Sequence, residues 1–135
     1  KMGSFTDFLE LELLDHVFGA AAYTSPATLY VALSTTTITD AGGNMTEPSG
    51  NAYARVAVTN NATNWPAAAA GAKANGTAIT FPTATGSWGT IIDFAIMDAA
   101  TAGNMLGYGT LTTAQAITTG NTPSFAIGDL DITLT

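Results

Sequence analysis

One histidine and ten carboxylates make up most of the reactive inventory of this 135-residue chain. His16 is the only side chain that titrates near neutrality, so ordinary acid–base or metal chemistry would centre on it. Glu12 stands one helical turn before it and Asp15 adjoins it. A triad needs an activated nucleophile, however, and a metal site needs several convergent ligands, so one imidazole with neighbouring acids reads as a structural or interface histidine. Ser34, Ser87 and Ser124 sit outside any G-x-S-x-G elbow. Asp129 and Asp131 are two residues apart and would share a face in a strand, while Asp93 and Asp98 flank an apolar run. Neither pair carries the 12-residue ligand spacing of an EF-hand or the cleft of a glycosidase, and both read as solvated strand ends. Gly86-Ser87-Trp88-Gly89 lacks the lysine of a phosphate loop, and neither it nor Gly107-Tyr108-Gly109 opens a helix. Both read as turns or bulges. With no cysteine, thiolate catalysis and Cys-ligated zinc are also excluded. The expectation is a protein without catalytic residues, cofactor or metal.

Arg55 is the only arginine, placed mid-strand beside Tyr53 and Val56. A guanidinium binds a carboxylate through two parallel hydrogen bonds, and Asp93 is the expected partner.

Charge narrows the partners. The formal net charge is −7, and Lys1, Arg55 and Lys73 are the only cations. Phosphate backbones are bound by releasing counterions against basic side chains, so nucleic acid is excluded as a partner. The same deficit excludes an anionic membrane surface, and no apolar run approaches the roughly 18–20 residues that span a bilayer. Charged residues make up 10% and hydrophobic ones 47%, against the roughly 25% charge of ordinary soluble domains. A surface so poor in charge is expected to be covered in part by other subunits.

The elements that must position these residues follow from periodicity. Residues 4–18 read as one helix, with Ser4 as the cap and Gly19 as a left-handed stop. Phe5, Leu9, Leu13 and Val17 form one apolar stripe on it, and Leu11, Leu14 and Phe18 form a second on another face. Two stripes need two partners, so these seven residues are the candidate subunit interface. After the helix the apolar period falls to 2. Strands are expected over 28–34, 52–59, 77–81, 91–97, 105–111, 115–119, 124–127 and 130–134, divided by Gly- and Asn-rich turns. About eight short strands at this spacing suggest a mainly β fold, an antiparallel β-sandwich of jelly-roll type with one N-terminal helix. The length suits a single domain over 1–135, with a helical segment at 1–19 and the sandwich at 27–135. Residues 60–75 offer neither period nor bulky core and read as a long surface loop, pinned by a buried Trp65. A second reading makes Trp65, Trp88 and Tyr108 exposed platforms for a host-surface glycan.

The chain also resembles a family of small bacteriophage virion proteins often labelled tail-fibre or tail proteins. The resemblance runs in order through Leu13-Leu14-Asp15-His16, Ala22-Tyr23-Thr24, Pro26-Ala27-Thr28-Leu29-Tyr30-Val31-Ala32-Leu33-Ser34 and Pro48-Ser49-Gly50. It continues through Tyr53-Ala54-Arg55-Val56, Ala78-Ile79-Thr80-Phe81-Pro82-Thr83-Ala84-Thr85, Trp88-Gly89, Phe94-Ala95-Ile96 and Leu130-Asp131-Ile132-Thr133-Leu134. It implies a non-enzymatic component of the virion. A compact sandwich of this size lacks the repeats or trimeric shaft of a fibre and suits a capsid decoration or cement subunit. The expectation is therefore a homotrimer on the outer surface of the head, held to the major capsid protein. The alternative is a structural module of the tail tip or fibre.

Overall fold

The computed structural model describes residues 2–134. A short strand, β1 (Met2–Phe5), runs straight into the helix α1 (Asp7–Val17). Strands β2 (Thr28–Ser34), β3 (Val56–Thr59), β4 (Ala72–Ala74), β5 (Ile79–Thr80), β6 (Gly89–Met97), β7 (Met105–Ile117), β8 (Ser124–Phe125) and β9 (Asp131–Thr133) follow. Seven of them form one sheet in the order β3-β2-β6-β7-β1-β9-β4, and β5 with β8 forms a second, two-stranded sheet. All pairings are antiparallel except β1 with β9, where Met2 faces Asp131 and Gly3 faces Ile132 in parallel. The protein is mainly β with one helix, as its periodicity indicates, although the two sheets are very unequal.

Alternation assigns the faces of the large sheet. Leu29, Val31 and Leu33 of β2 join Phe94 and Ile96 of β6 in the main core, while Tyr30 and Ala32 turn to the opposite side with Ala95 and Met97. Ile91 also enters the main core, although it should share a side with Asp93. The register between β6 and β7 shifts between Ile91 and Asp93, which resets the alternation. The small sheet caps this core through Ile79 and Phe125, and the Phe125 ring meets Phe94 edge-on at 5.8 Å. Residues 35–46 fold over the other face, where Ile38 and Met45 pack on Ala32, Ala95, Met97 and Met105.

Four local expectations are corrected. The helix begins later than residue 4, because Ser4 and Phe5 pair with Tyr108 and Gly107 of β7 and their backbone groups serve the sheet. Thr6 takes the N-cap position, extended at φ −86° and ψ 160°, but its hydroxyl donates to the Met105 carbonyl instead of the helix. The close fit of β1 depends on Gly107, where an added Cβ would lie 3.0 Å from the Ser4 carbonyl. Residues 105–117 form one strand where two were expected, because β7 bulges between Thr110 and Gln115 without breaking. Residues 60–75 are not only loop, since β4 pairs with β9 from Ala72 to Ala74. Trp65 does anchor the remainder, buried in the main core.

Candidate interaction surface

Helix α1 lies beside the sheet with one apolar side inward. Leu9 is buried and Leu13 half-buried, so the first of the two stripes turns inward at its centre. Phe5 belongs to β1 and packs against the main core, so it is not a helix contact. Val17 leaves the stripe and is 67% exposed. With Leu11 (64%), Leu14 (54%) and Phe18 (80%) it forms an apolar surface that no part of the described chain covers. Of the seven candidate interface residues, Phe5, Leu9 and Leu13 serve the chain's own packing, and the other four face outward. Gly19 ends the helix in the left-handed conformation at φ +87°, and Phe18 N–H closes on the Leu14 carbonyl at 2.9 Å.

Between the inner side of α1, the sheet and residues 60–72 lies an apolar groove of about 400 Å³, with Leu13, Trp65, Ile96, Ile132 and Leu134 among its lining residues. Lys73 is its only charged lining residue. The Trp65 indole N–H is buried without a hydrogen-bond partner.

His16, Asp98 and Asp129, weighed above for chemistry, each accept a hydrogen bond from a backbone N–H. His16 Nδ1 accepts from the Tyr23 N–H at 3.1 Å, which folds the chain back after the helix. Asp98 accepts from the N–H and side-chain amide of Asn104 and shapes the β6–β7 turn. Asp129 accepts from the Ala126 N–H in the turn before β9, so it does not share a strand face with Asp131.

Arg55 does not meet Asp93, and that expectation is overturned. Its Nη2 lies 2.7 Å from Glu47 Oε2 and its Nε 3.0 Å from Oε1, while Nη1 donates to the carbonyls of Ala99 and Ala102 at 2.7 and 2.9 Å. The hydrogen bond to Glu47, ahead of any burial effect, raises the guanidinium pKa. Asp93 is buried on the second face, where Oδ2 accepts from the Ile38 N–H at 2.7 Å and Oδ1 has no partner. The signal missed in the sequence was Glu47 itself, eight residues before Arg55 and just ahead of Pro48.

Tyr53 completes the cluster. Its hydroxyl donates to Glu47 Oε1 at 2.8 Å and accepts from the Leu33 N–H at 3.0 Å. Burial is the main cause that drives its pKa well above the usual phenol value. The exposed aromatic platforms are also corrected. Trp65 and Trp88 are buried, and the Trp88 indole donates to the Asn51 carbonyl at 2.8 Å. Tyr108 is partly exposed and donates to Asp40 at 3.0 Å.

No curated protein matches the chain. The family model described as Podophage GP4 fiber I protein gp80 matches residues 4–133, nearly the whole length. On that match the chain belongs to this family of phage fibre-type virion structural proteins.

Proposed function

We propose that the chain is a non-catalytic structural subunit of the tail-fibre assembly, attached to its neighbours through the outward face of α1. The observation that carries this reading is the match to a fiber protein family along residues 4–133. It favours the fibre placement over capsid decoration, for which size, scarce charge, the two-faced helix and the lack of catalytic groups were the arguments. The absence of catalysis is supported by the way the reactive groups are used. His16, Glu47, Asp93, Asp98 and Asp129 each hold a specific backbone or side-chain partner, and none faces another across a cleft. Leu11, Leu14 and Phe18 supply apolar area that gains stability only when a neighbour removes it from water.

Immunogold labelling of purified virions tests the placement. Gold is expected on the tail and its fibres. Gold confined to the head would return the capsid-decoration reading.

A further inference from the structure

The outward stripe of α1 is bordered by acid on both sides. At 100° per residue, Leu11, Leu14 and Phe18 fall within about 60° of one another, with Glu10 on one flank and Asp15 on the other. Asp7 closes the N-terminal end. All three acids are exposed, and among the described residues the one ion pair is the distant Arg55–Glu47 contact. Asp7 and Glu10 stand near the start of the helix, where its dipole favours an anion. Asp15 has no such reason to be there. It stands near the C-terminal end, where the dipole opposes a negative charge, beside side chains the fold leaves uncovered.

A second copy of this chain does not complement the surface. Two such helices packed antiparallel would set Asp7 and Glu10 of one against Asp15 of the other, and like charges brought together without solvent disfavour association. The neighbouring groove offers only Lys73 against three carboxylates, and Arg55 is held by Glu47. A trimer of this chain would have to form through another surface. Nucleic acid and anionic lipid are repelled by the same acids.

We infer that the α1 face docks a different virion protein, one whose contact surface carries apolar side chains bordered by lysine or arginine. Leu11, Leu14 and Phe18 form the desolvated centre of the contact, and Asp7, Glu10 and Asp15 form the rim that orients the partner. The inference rests on the chain being a virion subunit but not on its position in the virion. Head placement would overturn the fibre reading and leave this one standing.

The test counts copies of the chain retained on purified phage. Asp7→Asn/Glu10→Gln/Asp15→Asn removes three charges while keeping side-chain size. Thr101→Lys/Thr112→Lys/Thr119→Lys shifts net charge equally at exposed positions off the helix. In about 0.1 M salt the acid variant is expected to be retained at least tenfold less than the wild type, and the lysine variant equally well. Phe18→Ser alone is expected to lower retention as well. Wild-type chain should leave the particle progressively as salt rises. Circular dichroism on each purified variant separates lost docking from lost folding, and Glu10→Gln/Asp15→Asn replaces the triple variant if the latter unfolds. Wild-type retention of the acid variant overturns the inference. So does self-association of the isolated chain that Phe18→Ser abolishes, which would give the face to a second copy.

Discussion

Arg55 grips Glu47 as a two-pronged fork and uses its remaining nitrogen to hold the carbonyls of Ala99 and Ala102, so one side chain ties the segment before β3 to the β6–β7 turn. The arginine side chain is 7% exposed and the glutamate 24%, which places the pair largely out of water. Arg55→Ala leaves two carbonyls without this donor and the Glu47 carboxylate with only the Tyr53 hydroxyl, and is expected to cost about 3 kcal/mol. Arg55→Lys should recover less than half of that, because an ammonium cannot reproduce the fork. Urea unfolding measures both, and an unchanged midpoint for Arg55→Ala would refute the assignment.

Tyr53 predicts an alkaline limit to stability. Its pKa in the folded protein lies above the ordinary value of 10.0, chiefly through burial. The stabilisation is therefore complete below the unfolded value and drains away as pH climbs toward the folded one, at about 1.4 kcal/mol per pH unit. Tyr53→Phe should flatten that slope. Denaturation midpoints between about pH 9 and pH 11 decide the matter, and equal slopes for the two proteins would dismiss Tyr53 as the cause.

The two sides of α1 should respond oppositely to truncation. Leu9→Ala empties a buried position and is expected to cost about 2–4 kcal/mol. Leu11→Ala removes only exposed surface and should stay within about 0.5 kcal/mol of wild type. A large loss at Leu11 in the isolated chain would mean that the helix packs differently.

Asp93, expected at a solvated strand end, is instead buried and holds the Ile38 N–H. Asp93→Ala frees the Ile38 N–H beneath the 35–46 segment, and a buried donor left unpaired costs about 1–3 kcal/mol. Hydrogen exchange at Ile38 should accelerate more than at Val31. Equal protection in both proteins would count against the contact.

Gly76 allows no side chain. A Cβ there would overlap the Thr63 carbonyl and the Pro66 ring, so Gly76→Ala is expected to lose about 2–3 kcal/mol. Thermal melting reads the effect, and a wild-type melting temperature would mean that residues 63–66 can move aside.

Period and turn chemistry made most of the β elements legible. β2 and β6 carry long runs of branched and aromatic side chains, and their sequence spans nearly coincide with the structural ones. What escaped depends on distant chain. Met2–Phe5 has no strand signature of its own and becomes β1 only by lying between β7 and β9, both more than a hundred residues away. Ala72–Ala74 is a poor strand by propensity and is recruited at the edge by β9. The outward apolar stripe was legible because helical geometry fixes which side chains share a side. The partner of Arg55 was not, because the turn closed by the Tyr53 N–H on the Gly50 carbonyl decides which carboxylate comes within reach.

The position of β1 also orders events during synthesis. β1 is made before both of its neighbours and waits for them, since it pairs with β7 and β9 more than a hundred residues downstream. Until then the nascent chain holds both an unpaired strand edge and the leucine-rich helix behind it, the kind of intermediate that aggregates or recruits chaperones. Slow translation of the segment between β1 and β9 would prolong that exposure, so expression yield should fall when the codons between the two strands are replaced by rare synonyms.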